Sequence, residues 1–212
     1  MRPPAVNAAV RAERAALADL ASGFTEEQWA TPSLCEAWTV RHVVAHLTTT
    51  THTRPTSLIG HAVRARGSFD RMEVQVAQRL VDRHTDAELV ALLRESATSD
   101  RRIPLSGPMD PLMDVVVHAQ DLARPLGLTH RTPDDVTAAV LDHLAGNRLM
   151  GGPRRVRGLR LVAASGWTTG EGPVVSGPDV DLLLAVAGRP AGLAALGGAG
   201  LPTLAARLTP AG

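Results

Sequence analysis

The 212-residue sequence contains no lysine and no tyrosine, and it has only two phenylalanines, two isoleucines and one cysteine. All 22 basic residues are therefore arginine, and 21 acidic residues balance them to a net charge of +1. A chain this close to neutral lacks the basic excess that is typical of nucleic-acid binders. Because 44% of the residues are hydrophobic and 20% are charged, the composition excludes a disordered chain and predicts a packed core.

The single cysteine, Cys35, cannot form an internal disulfide, which is typical of proteins in a reducing compartment. The N-terminal segment has charges among its apolar residues, and no window is long and apolar enough for a transmembrane helix. We therefore expect a cytoplasmic protein, monomeric or homodimeric, without a membrane or nucleic-acid partner.

Apolar residues recur at helical spacing through most of the first 150 residues. The predicted helices cover residues 4–21, 40 to about 60, 71–81, 86–96, 112–124 and 134–149. Thr39 is the expected N-cap of the second of these, and Pro55 is expected to kink it. Glu13 interrupts the apolar stripe of the first helix and is expected to reach solvent at its edge. The pattern predicts a mainly α fold, an up-and-down four-helix bundle.

The composition changes at "MGGPRRVRG". Beyond it, "GLRLVAAS" and "GPVVSG" are short β-type runs, and "PDVDLLLAVAG" is typical of a helix that begins at a proline. The sequence thus predicts two domains, a helical bundle over residues 1–150 and a small α+β domain over residues 151–212.

A polar stripe in "MDVVVHAQDLARPLG" is the first candidate for chemistry. Asp114, His118 and Asp121 are spaced i, i+4 and i+7, so a helix places them on one face beside apolar residues. A carboxylate and an imidazole one turn apart can hold a divalent ion if another element supplies a third ligand. His46, on an otherwise apolar helix, is the natural candidate. The set suits Zn²⁺, with Ni²⁺, Fe²⁺ and Mn²⁺ as alternatives.

Simpler interpretations of the same residues stay open. Asp114 and His118 can be an ordinary i,i+4 charge pair, and His46 a hydrogen-bonded core histidine. Asp121 can orient a liganding imidazole, which usually donates its other N–H to a carboxylate, or pair with Arg124.

The remaining polar residues give weaker signals. No histidine or carboxylate is placed around Cys35 in the sequence in a way that suggests activation, so a structural role is expected rather than that of a nucleophile. The threonines after Leu47 either line a polar cavity or bond back to their own helix. His42 is expected to be exposed or beside the site. The other histidines have no recognisable partner pattern: His52, His61, His84, His130 and His143.

Two segments resemble one known family. "FTEEQWATPSLCEAWTVRHVVAHL" and "DVVVHAQDLARPLG" are similar to the two halves of the signature of mycothiol-dependent maleylpyruvate isomerases, a branch of the DinB-like four-helix bundles. Residues 155–198 resemble the C-terminal extension of its actinobacterial members. The resemblance implies a divalent metal, usually zinc, held by His46, Asp114 and His118. The characterised isomerase has glutamate at the position of Asp114, so the shorter carboxylate departs from the pattern.

The resemblance also implies a reaction class. In that family the metal site activates a low-molecular-weight thiol, mycothiol, to attack an electrophile. We therefore expect a metal- and mycothiol-dependent isomerase or S-transferase that acts on a small electrophile. The alternatives are a noncatalytic ligand-binding or stress-response protein on the same bundle, and a metal-dependent hydrolase. The lysine-free composition agrees with an actinobacterial source.

Overall fold

The computed structural model describes residues 1–52, 69–101 and 106–208. The chain divides into two compact units, Met1–His130 and Arg131–Gly212, here called the helical unit and the C-terminal unit. None of the helices in the described ranges combines the length and the apolar character needed to cross a bilayer.

The helical unit contains six described helices. They are α1 (Pro3–Ala21), α2 (Glu26–Ala30), α3 (Val40–His52), α4 (Phe69–Arg83), α5 (Asp86–Ser96) and α6 (Asp110–Ala123). Capping boxes start two of them, with Thr25 and Gln28 at α2 and Thr85 and Glu88 at α5. In each box two backbone N–H groups that the helix leaves without partners find side-chain acceptors, which fixes where the helix begins.

The four helices α1, α3, α5 and α6 form the bundle. Helix α1 packs against α5 and α6, and α3 packs against the same two helices, while α4 lies against α3. Fully buried residues such as Leu17, Val43, Leu89 and Val116 fill the interior. Each buried side chain of this size contributes about 1.5–3 kcal/mol by leaving water, so the core fixes the helices that carry the candidate residues.

The C-terminal unit is a small α+β structure. Its elements are α7 (Asp134–Gly146), α8 (Gly152–Val156), β1 (Arg160–Ala163), β2 (Thr168–Thr169), β3 (Val174–Gly177), α9 (Asp179–Val186), a 3₁₀ helix (Pro190–Ala195) and α10 (Leu201–Leu208). The strand order is β2-β1-β3, with β1 antiparallel to β2 and parallel to β3. Leu161 pairs with Val175 in the parallel register, and both are buried.

The predicted fold class is confirmed: the protein is mainly α, with a four-helix bundle and a small α+β unit. The packing divides the chain at residue 130, whereas the sequence predicted a domain boundary at 150. The difference arises because α7 packs against α9, so this helix belongs with the strands that follow it. The predicted extension of α3 toward residue 60 and the kink at Pro55 lie outside the described residues.

Candidate metal centre

Helix α6 carries two partly exposed polar side chains in an otherwise buried segment. Between Leu112 and Ala123 every residue is buried except Asp114 and His118. The predicted one-turn spacing brings His118 Nε2 to 3.4 Å from Asp114 Oδ1. The apolar residues on either side pack into the bundle, so the pair is held at the edge of the core.

Helix α3 supplies the third predicted residue. His46 is 6% exposed, and its Nε2 atom lies 3.2 Å from the same Oδ1 atom of Asp114. The imidazole rings of His46 and His118 are 4.8 Å apart at their centroids and nearly perpendicular. The structure therefore brings the three predicted ligand residues together from two helices, and His46, Asp114 and His118 are arranged so that they could hold one ion.

The distances between these atoms match those of metal ligands. A tetrahedral site with metal–ligand bonds of about 2.0–2.1 Å has ligand atoms about 3.3 Å apart. The two measured separations, 3.2 and 3.4 Å, bracket this value. Both are long for charge-assisted hydrogen bonds, which are typically about 2.7–2.9 Å. The donor set of two imidazoles and one carboxylate thus fits a divalent ion such as zinc.

The other face of His118 is held by a carboxylate. His118 Nδ1 lies 2.8 Å from Asp121 Oδ2, and Asp121 is fully buried. With Nδ1–H donating to Asp121, the Nε2 atom presents its lone pair toward Asp114 and His46 once the ring is neutral. This carboxylate–imidazole contact is the arrangement usually found behind a metal-liganding histidine.

Cys35 lies against the same histidine, which the sequence reasoning missed. Its Sγ atom is 3.1 Å from Asp121 Oδ2 and 3.7 Å from His118 Nδ1. Cys35, His118 and Asp121 thus form a second group whose potential ligand atoms lie close enough together to bind a cation. However, the distance of 2.8 Å between His118 Nδ1 and Asp121 Oδ2 is about 0.5 Å shorter than the distance between two ligand atoms of a tetrahedral metal site. The Nδ1 side of His118 is therefore a hydrogen-bonded cluster with Asp121 and Cys35. The Nε2 side, which faces Asp114 and His46, is the one suited to an ion.

Charge and burial shift the pKa values of two of these groups. Burial acts to raise the pKa of Asp114, but the charge and hydrogen bond of His46, with the charges of His118 and Arg14, lower it to about 2. Burial acts to lower the pKa of His118, yet hydrogen bonds to Asp121 and Cys35 and the charges of both aspartates raise it well above 6.5. In the absence of a metal, the cluster holds a carboxylate against an imidazolium.

Trp38 forms the apolar wall of the site. Its side chain is 7% exposed, and its ring centroid lies 5.0 Å from that of His46 and 6.0 Å from that of His118. Its burial and these ring contacts make this tryptophan a hydrophobic anchor beside both imidazoles.

Three of the four threonines of α3 donate their hydroxyl protons within the helix and do not leave them free for a cavity. Thr48 donates to the carbonyl of Ala45, Thr49 to that of His46, and Thr51 to that of Thr48. Each hydroxyl proton is used within its own helix, which is the second of the two interpretations considered from the sequence. The side chain of Thr50 lies outside the described residues.

One expectation about a polar residue was wrong, and one histidine has a partner that the sequence pattern did not indicate. Glu13 is buried, not solvent-facing, and His130 has a partner: Glu13 Oε2 lies 2.7 Å from His130 Nε2, and both side chains are 6% exposed. His42 binds Thr39 and Gln78, and by contacting both the backbone and the hydroxyl of Thr39 it fixes the start of α3. The side chain of His52 and all of His61 lie outside the described residues.

One family model matches part of the chain. Residues 10–103 match the family model described as the mycothiol maleylpyruvate isomerase N-terminal domain. No curated protein shows significant sequence similarity to the chain.

Two solved structures share the fold. The crystal structure of a mycothiol-dependent maleylpyruvate isomerase matches with a TM-score of 0.60 and 17% identity, covering 94% of this chain and 93% of that one. A histidine-to-alanine mutant of such an isomerase matches with a TM-score of 0.59 and 16% identity over the same shares. The predicted resemblance is confirmed for residues 10–103, which match the model of the mycothiol maleylpyruvate isomerase N-terminal domain and make up less than half of the chain.

Proposed function

We propose that the protein is a metal-dependent enzyme that uses a low-molecular-weight thiol, mycothiol, in an isomerisation or S-transfer on a small electrophile. The observation that carries this proposal is the convergence of His46, Asp114 and His118 at separations of 3.2 and 3.4 Å. Zinc is the first expectation for the ion, and Ni²⁺, Fe²⁺ and Mn²⁺ have the same preference for nitrogen and oxygen ligands.

The chemistry follows from a site with three protein ligands. His46, Asp114 and His118 would hold a divalent ion, and the chemistry it would supply there is a lowered pKa for a bound thiol, so that a thiolate would be available near neutral pH. Asp114 has a side-chain exposure of 32%, compared with 6% for His46, so a small molecule can approach from the carboxylate side. Trp38 and the buried face of α6 keep water from the opposite side.

The choice of a thiol as reactant rests on the family. The N-terminal domain model and the solved isomerases are both named for mycothiol. Asp114 departs from the glutamate of the characterised isomerase by one methylene group, yet its carboxylate reaches both imidazoles. The shorter side chain is therefore compatible with metal binding.

The experiment is a turnover assay on the purified protein with its metal bound. Mycothiol is supplied with maleylpyruvate in one assay and with chlorodinitrobenzene in another, and isomerised product or thioether is measured. We expect turnover that requires both thiol and metal, that is lost in D114A, and that is retained at least in part in D114E. His84→Ala is the matched control, because this histidine lies between α4 and α5 and contacts Glu88.

The outcomes separate the candidate functions. Stoichiometric metal without thiol-dependent turnover on either electrophile would contradict the proposal. Such a result would favour a noncatalytic binding protein or a metal-dependent hydrolase.

A further inference from the structure

Cys35 sits in a short loop whose conformation is tightly specified. Within residues 31–39, the Ser33 hydroxyl accepts from the Cys35 N–H at 3.1 Å and lies 2.9 Å from the Trp38 carbonyl, to which it donates. The Trp38 N–H donates to the Cys35 carbonyl at 3.1 Å, which closes the turn. Ala37 has φ of 65°, a left-handed conformation that costs a non-glycine residue about 1–2 kcal/mol. A strained turn of this kind persists only where its surroundings impose it.

The loop is attached to α6 at the residue that its cysteine contacts. The Leu34 N–H donates to the backbone carbonyl of Asp121 at 3.0 Å. The next side chain, that of Cys35, then reaches the carboxylate of the same aspartate at 3.1 Å. Backbone and side chain therefore fix the thiol against Asp121.

One oxygen of Asp121 receives two donors. Oδ2 lies 2.8 Å from His118 Nδ1 and 3.1 Å from Cys35 Sγ, and the residue is fully buried. A buried carboxylate is costly unless it is well hydrogen-bonded, and a thiol is a weak donor that nevertheless contributes in such a place. The contact at 2.8 Å links the orientation of this carboxylate to that of the imidazole ring of His118.

We propose that Cys35 is a positioning residue that acts through Asp121 to fix the ring of His118, so that its Nε2 atom faces Asp114 and His46. This inference rests on the proposed function, because the aim of that orientation is metal binding. The thiol acts as a hydrogen-bond donor, and no step requires it to become a nucleophile.

The test compares two substitutions of Cys35 with a neighbouring control. C35S keeps a hydrogen-bond donor at this position, C35A removes it, and E36A alters the exposed adjacent side chain. Zinc affinity is measured by competition with a chromophoric chelator. Loss of a partner behind a liganding histidine raises the metal dissociation constant about 10–100-fold, and a weak thiol donor belongs at the low end. We expect about a tenfold increase for C35A and less than about threefold for C35S and E36A.

A second measurement needs no metal. In ¹⁵N-labelled metal-free protein, the ring N–H proton of His118 that donates to Asp121 is followed by its exchange with solvent. We expect a protected proton in the wild type, C35S and E36A, and exchange at least about fivefold faster in C35A, because a carboxylate held by fewer donors turns more freely.

Each result decides the role of Cys35. Equal losses in C35S and C35A would show that the site requires the shape of the cysteine, not its donor, and would overturn the inference. Unchanged affinity and exchange in C35A would also overturn it. If the wild type binds no zinc, the proposed function fails, and the exchange measurement still decides whether Cys35 orients His118.

Discussion

Metal binding should release a proton from His118, and the amount can be worked out from the site. The hydrogen bonds and charges around this imidazole raise its pKa well above 6.5, so before metal binds it carries a proton at pH 7.0 more often than an ordinary imidazole does. A liganding imidazole must be neutral at the nitrogen that faces the ion. Asp114, with a pKa of about 2, is already ionised and releases nothing.

The comparison that isolates this proton is the wild type against D121N. The hydrogen bond to Asp121 is the largest of the influences that raise the pKa of His118. An imidazole with the ordinary pKa near 6.5 is only about a quarter protonated at pH 7.0, so a variant whose His118 returns toward that value should release less than one proton per zinc bound, and D121N should release less than the wild type. Below the raised pKa of the wild type, the apparent affinity should fall about tenfold for each unit of pH.

Calorimetric titration with zinc in buffers of different ionisation enthalpy gives the number of protons released. The titration is repeated with the H84A variant, whose proton release should equal that of the wild type. Equal release from the wild type and D121N at pH 7.0 would refute the assignment of the released proton to His118.

Three further predictions concern stability, and each is measured by chemical denaturation. Ala37→Gly should raise the free energy of unfolding by about 0.5–1 kcal/mol, because glycine adopts the φ of 65° without strain. Part of the gain is lost because glycine has greater conformational freedom in the unfolded chain. A loss of stability would contradict the strain assigned to the loop. Gly152→Ala should lower the free energy of unfolding by about 1–3 kcal/mol or more, because the added Cβ would lie 1.7 Å from the carbonyl oxygen of Leu144. The control is the exposed Gly146→Ala, which should be neutral or stabilising because no atom lies within 4 Å of its added Cβ. Equal effects of the two substitutions would show that the backbone moves to relieve the close approach at Gly152. In the metal-free protein, the contribution of His118 to the free energy of unfolding is fully present below its ordinary pKa of 6.5 and is lost as pH rises through its raised pKa. Stability should therefore decline above pH 6.5, and H118Q should remove that decline. A wild-type stability that rises above pH 6.5 would show that the pKa is shifted in the opposite direction.

The sequence predicted those features that depend on spacing within one element. Asp114 and His118 are one helical turn apart, so any helix through them produces the observed contact. The association of these two residues with His46 crosses 68 residues, and the sequence suggested it through the apolar helix around His46 and the resemblance to a family. The match of residues 10–103 supports that resemblance independently.

The sequence did not predict contacts that depend on packing between distant elements. Cys35 and Asp121 are 86 residues apart, and Glu13 and His130 are 117 residues apart. A single cysteine in a loop and a glutamate at the edge of an apolar stripe carry no local signal of a partner. Both acquire one only when the loop and α1 pack against the segment that includes α6. The helical pattern before residue 150 likewise did not show that α7 packs with the C-terminal unit.

The most direct test of the account is the metal content of the purified protein and of four variants, measured by inductively coupled plasma mass spectrometry after removal of loosely bound ions. The account predicts about one divalent ion per chain in the wild type and in H84A, and its loss in H46A, D114A and H118A. A wild type without metal after incubation with zinc, or an H118A variant that keeps a full equivalent, would contradict the assignment of His46, Asp114 and His118 as the metal site.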